Sequence, residues 1–166
     1  AGIYNNLVSN RENVTASWAQ VENVLQRRAD LIPNLVNTVK GYAAHEKSVF
    51  EEVTKARSAW ANAGNPDEKL RAASSMDSAI SRLLLVAENY PDLKANENFL
   101  KLQDELAGTE NRIATERMRF NQAVRNYNVS IRAFPGNIAA GLFGFKERSE
   151  YFKAEENAKI VPEVKF

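Results

Sequence analysis

A chain of 166 residues is long enough to bury the core of one domain. Its 22 bases and 21 acids nearly cancel, to a net charge of +1, which argues against a dedicated nucleic-acid surface, because that needs a concentrated basic face. It has no cysteine, so disulfides, thiolate chemistry and cysteine-built zinc sites are excluded, and no run of about 18 apolar residues that could cross a membrane.

Residues 4–28 repeat apolar groups at Tyr4, Leu7, Val14, Trp18, Val21 and Leu25, spacings of three, four and seven that predict an amphipathic helix. A second helix is expected over 30–63, with Ile32, Leu35, Val39, Tyr42, Val49, Val53, Ala56 and Trp60 as its stripe. Asp30 would cap it, and Pro33 would fall in its first turn, where a missing N–H costs little. The seven-residue phase that links Trp18, Leu25, Ile32 and Val39 would suit one long helix kinked at Pro33. A single helix over 4–63 would be about 90 Å long, however, and no other predicted helix covers such a seam. A corner between two helices is therefore the expectation.

Gly64-Asn65-Pro66-Asp67-Glu68 is a break, with Asn65 as the next cap and Pro66 at the first helical position. The third helix covers 66–90, with Leu70, Ala73, Ile80, Leu83 and Ala87 inward, and Tyr90-Pro91 ends it. The fourth covers 96–134, with Phe99, Leu102, Leu106, Ile113, Phe120, Val124, Tyr127, Ile131 and Phe134 on its stripe, and Pro135-Gly136 stops it. Four helices joined by short turns point to an all-α fold, an antiparallel up-down-up-down four-helix bundle over residues 1–134. Residues 135–166 are expected to form an irregular tail of the same domain, packed on the bundle. Its glycines oppose a continuous helix, with a short helix expected over 149–158 and an extended end over 160–166.

Several blocks carry a family likeness: Tyr4-Asn5-x-Leu7-Val8; Arg27-Arg28-x-Asp30-Leu31-Ile32-Pro33-Asn34-Leu35-Val36; Thr38-Val39-Lys40-Gly41-Tyr42-Ala43-x-His45-Glu46; Tyr90-Pro91-Asp92-Leu93-Lys94-Ala95-Asn96; Gly108-Thr109-Glu110-Asn111-Arg112-Ile113; and Gly141-Leu142-Phe143-Gly144-Phe145. Together they resemble the bacterial LemA family over nearly the whole chain. The resemblance implies a helical domain tethered by one amino-terminal membrane helix just ahead of the Tyr4-Asn5 block. That helix is missing from this chain, which then reads as the part outside the anchor; a mature terminus left by signal cleavage is the competing reading. The resemblance further implies a single-pass protein of the bacterial plasma membrane, with the helical domain on the cytoplasmic side, and no established biochemical activity.

His45 is the sole histidine, and a zincin needs a second one where this chain has Val49. A di-iron bundle needs two Glu-x-x-His pairs, and none is present. No nucleophile-elbow glycine pattern or phosphate-cradling loop appears. The expectation is therefore no enzyme, with no catalytic residue, no metal and no cofactor. Arg28, Glu46, Glu110, Arg112 and Glu116 lie on or beside apolar stripes, and any that are buried should pair across helices. They are the candidate core charge network, either a device that fixes register or the lining of a small-molecule or ion pocket. Leu142, Phe143 and Phe145 are the candidate contact residues, for the membrane interface or a partner, against the alternative that they fold back over the core. The leading functional expectation is a non-enzymatic, membrane-tethered scaffold that meets another envelope protein or a second copy of itself. The alternative is a ligand-binding bundle that uses the charged residues.

Overall fold

The computed structural model describes residues 2–148, and all regular structure among them is helical. In chain order the helices are α1 (Gly2–Asp30), α2 (Ile32–Lys40), α3 (Lys47–Asn62), α4 (Pro66–Ala87), α5 (Pro91–Lys94), α6 (Glu97–Arg132) and α7 (Gly136–Phe143). None is long and apolar enough to cross a membrane. The chain divides into two units: the described residues up to 23 and from 113 onward form one, and Val24–Arg112 the other.

In the first unit, Leu7, Val14 and Val21 from α1 and Phe120, Val124 and Tyr127 from α6 are buried, as their spacing requires. Trp18 is half-buried, its ring tilted against Phe120 with centroids 5.5 Å apart. Phe134, expected on the α6 stripe, is instead 79% exposed. Helix α6 stops at Arg132, since the coming Pro135 cannot continue it, and the turn carries Phe134 off the stripe.

At the start of the expected tail, residues 136–143 form two turns of helix, more order than their glycines imply. Gly136 begins α7 where a Cβ would lie 2.2 Å from the Ser130 carbonyl oxygen. Gly144 ends it with φ of 75°, a left-handed position that suits glycine. The Phe145 N–H then donates to the Ala140 carbonyl at 3.0 Å, closing a Schellman-type cap with Ala140 and Phe145 both buried. Because the obstacle at Gly136 is backbone, Gly136→Ala should destabilise the protein by about 1–3 kcal/mol, read as a lower urea midpoint at unchanged m-value. The short helix and extended end expected beyond residue 148 lie outside the described residues.

In the second unit, α3 packs on α4, with α2 against α3 and α5 against α4. Arg82 of α4 pairs with Glu52 of α3. The buried side chains include Leu25, Ile32, Leu35, Val39, Val53, Trp60, Met76, Ile80, Leu83, Leu93 and Phe99. The capping of α4 matches its sequence: Asn65 accepts from Glu68 N–H at 2.9 Å, and the Glu68 carboxylate accepts from Gly64 N–H at 2.8 Å.

Two expectations are corrected here. The corner at Pro33 is an interruption of one residue, Leu31, whose backbone stays right-handed helical at φ −77° and ψ −19°. Leu31 is the cap and makes no side-chain capping bond; Asp30 instead accepts from Gln26 at 2.9 Å. Pro33 has no N–H for the Ala29 carbonyl, and Arg57 Nε donates to that buried oxygen at 3.2 Å. The helix expected over 30–63 is two helices, α2 and α3, because the chain turns from Gly41 to Glu46. Gly41 weakens the helix there, and Ala43 is buried in the turn. Tyr42 is exposed, and its hydroxyl accepts from Asn96 at 2.9 Å.

Candidate functional site

Two places concentrate chemistry, one in each unit. In the second unit it is Arg28, in the last turn of α1, where a positive charge suits the helix carbonyl end. Arg28 is buried, with only 7% of its surface exposed. Its Nε donates to Asp77 at 2.8 Å, and its Nη1 donates to the Leu106 carbonyl and to the Thr109 hydroxyl, each at 3.0 Å. Thr109 in turn donates to the Leu106 carbonyl at 2.7 Å, which completes its own bonding. A cleft of about 260 Å³ opens beside this cluster, lined by Arg28, Asp77, Ser81, Gln103 and Glu110 over Ile80 and Leu106.

Burial is the largest influence on Asp77 and raises its pKa above the ordinary carboxylate value. The Arg28 charge and hydrogen bond pull it down without cancelling that rise, and the Glu110 charge adds to it. The Asp77 side chain is 56% exposed, so water screens these effects.

The five candidate network residues do not form one network. Arg28 and Glu110 meet around Asp77. Glu46 sits in the turn before α3 and accepts from the Tyr90 hydroxyl at 3.4 Å. Arg112 is exposed on α6, and Glu116 pairs with Arg119 of its own helix at 2.9 Å. His45 is exposed in the turn between α2 and α3. Sequence reasoning missed Asp77 and Thr109. Asp77 did carry a signal, since it is the sole charge between Arg71 and Arg82.

In the first unit the three contact candidates divide. Leu142 is 77% exposed and Phe143 58%, whereas Phe145 is 8% exposed. The left-handed step at Gly144 turns the chain so that Phe145 faces in. The Phe145 ring lies under the Arg11 guanidinium, 4.7 Å from its centroid, and edge-on to Tyr4 at 6.0 Å. Tyr4 also meets Phe143 edge-on at 4.7 Å, so the first turns of α1 and the end of α7 are one surface. Ile3 in the first turn of α1, Phe134 before α7 and Ile138 on α7 are exposed as well.

Asn128, another residue the sequence did not single out as a structural element, fixes this end. It is buried, and its side-chain amide donates to the Arg148 carbonyl and accepts from the Arg148 N–H, both at 2.8 Å. Arg132 pairs with Glu147 at 3.0 Å alongside.

The model of the LemA family matches residues 17–166. Among individual proteins, magnetosome protein MamQ 2 of Paramagnetospirillum magneticum is 30% identical, the match covering 97% of this chain and 70% of that protein. Magnetosome protein MamQ of Magnetospirillum gryphiswaldense is 29% identical with the same coverage. Protein LemA of Metamycoplasma hominis is 24% identical over 84% of this chain and 64% of that protein.

Proposed function

Since the chain belongs to the LemA family, we propose that it is a non-enzymatic interaction domain, a scaffold held at the bacterial plasma membrane by a helix amino-terminal to α1. In this reading the helical segments pack as an up-down-up-down bundle on the cytoplasmic side, for which the short connections between them are the support. The bacterial origin of the relatives supports the cellular setting. The observation that carries the reading is the exposure of Ile138, Leu142 and Phe143 along the one short helix α7, with exposed Phe134 just before it in sequence. Contiguous exposed apolar side chains mark contact surfaces.

The test pairs a surface change with a buried one. Leu142→Ser should leave stability within about 0.5 kcal/mol, because that side chain is 77% exposed. It should abolish what the anchored protein captures when crosslinked in native membranes. Phe145→Ala should lower stability by about 2 kcal/mol, below the usual cost of a core phenylalanine because exposed Arg11 and Tyr4 can close over the gap. Capture unchanged by Leu142→Ser would defeat the reading.

A second reading has its own observation, the cleft beside Arg28. Its mixed charges over an apolar floor would suit a small zwitterion or organic ion. A reproducible rise in melting temperature in a screen of metabolites, lost in Ser81→Leu, would favour it.

A further inference from the structure

Two of the uncharged stretches of this chain converge. Residues 2–10 carry no acid or base before Arg11, and residues 133–145 carry none between Arg132 and Lys146. The Tyr4–Phe143 and Tyr4–Phe145 ring contacts join them into one end of the first unit. Ile138 and Leu142, four apart on α7, share a helix face, and both are exposed. The opposite side of α7 is anchored by buried Ala140. Exposed Phe143, edge-on to Tyr4, adds to this apolar surface.

The rim has the opposite character. Arg11 lies over the Phe145 ring with Glu12 next to it in sequence, Lys146 follows Phe145 directly and is exposed, and Arg132 is paired with Glu147. Arg11, Arg132 and Lys146 against Glu12 and Glu147 leave one base in excess, while the cap itself is neutral. Long basic side chains can lay their stems on apolar surface and keep their heads in a polar layer. An apolar cap with aromatic members and a basic border matches the boundary between acyl chains and anionic headgroups, where each part finds its own phase. On the α7 side of this end, residues 133–145, Asn137 is the sole polar side chain, and the exposed polar groups Asn5, Asn6 and Ser9 come from α1.

We propose that this end, made by the first turn of α1 and by α7, seats in the interface of an anionic lipid bilayer. Ile138, Leu142 and Phe143 enter the acyl boundary, and Arg11 and Lys146 lie at the phosphates. The proposal rests on the reading of this end as the contact surface and names its occupant.

Vesicle flotation with the 166-residue chain tests it, using phosphatidylcholine vesicles with and without phosphatidylglycerol. The chain should float with the phosphatidylglycerol vesicles and bind the neutral ones less. The double variant Ile138→Ser/Leu142→Ser should weaken that binding about tenfold or more, with an unchanged melting curve. Raising the salt to about 0.5 M should also weaken it, because the basic rim is exposed. If the double variant unfolds, Leu142→Ser alone serves. No flotation of the wild-type chain, or flotation that the substitutions leave unchanged, would overturn the proposal. A dimer seen by sedimentation and abolished by Leu142→Ser, without flotation, would overturn it in favour of a second copy. Loss of crosslinked capture by Leu142→Ser without flotation would also overturn it, while leaving the contact-surface reading in place.

Discussion

Trp60→Ala is expected to cost about 3–5 kcal/mol of stability, the range for removing a large aromatic side chain from a packed interior. Trp60 is 1% exposed in the last turn of α3. Its indole N–H donates to Gln26 Oε1 at 2.8 Å, so it ties α3 to the end of α1 within the second unit. Lys69 covers the ring, with its ammonium 4.1 Å from the centroid and bonded at 2.9 Å to the Trp60 carbonyl. Alanine would leave a cavity, an unpaired Gln26 amide oxygen and a lysine with no ring beneath it. Trp60→Phe separates these losses: it keeps most of the volume but removes the donor, and should cost about 1–2 kcal/mol. Urea titration followed by circular dichroism measures both, with the midpoint falling while the m-value holds.

Arg28→Ala is the second large effect, expected at about 3 kcal/mol near neutral pH. The guanidinium gives three hydrogen bonds, to Asp77, to the Leu106 carbonyl and to Thr109, and its loss leaves Asp77 ionised beside Glu110. The deficit should depend on pH in a definite sense. Burial already raises the Asp77 pKa in the folded protein, and Arg28 restrains the rise. Without Arg28 the folded-state pKa climbs further, so the folded variant binds the Asp77 proton more tightly than the wild type does. The difference between the two proteins is therefore full above the variant's folded pKa. It shrinks as pH falls from that value toward the wild type's own, lower folded pKa, below which Asp77 is neutral in both. Melting curves taken from neutral to mildly acidic pH should show the gap narrowing; a gap that widens toward acid would contradict the arrangement of charges around Arg28.

The helices were legible because burial at intervals of three and four residues leaves a periodic record. Leu7, Val14, Val21 and Leu25 in α1, and Phe99, Leu106, Phe120 and Val124 in α6, are buried where that record puts them. The break at 41–46 was not legible, since Val39 and Val49 keep the apolar pattern on both sides of a turn that is held by contacts from distant residues, Asn96 to Tyr42 and Tyr90 to Glu46. Helix α7 was hidden by its glycines, two of which mark its ends instead of dissolving it. At the charge cluster, Arg28 stood out as a charge on an apolar stripe. Its partner Asp77 lies on a different helix, and pairing across helices is a property of how they pack, which no local spacing records. Leu142, Phe143 and Phe145 look alike in sequence; the backbone turn at Gly144 alone separates the buried one from the exposed two.

The bond from Arg57 to the Ala29 carbonyl makes the history of this chain directional. While residue 33 is proline, that oxygen has no intrahelical donor, and losing the arginine strands it in a buried place. Were residue 33 to become an ordinary amino acid, its own N–H could satisfy the oxygen, and the arginine would become dispensable at that bond. Descendants can therefore shed the proline and then the arginine at little cost, whereas the reverse order passes through a weakened ancestor: one-way epistasis between α2 and α3.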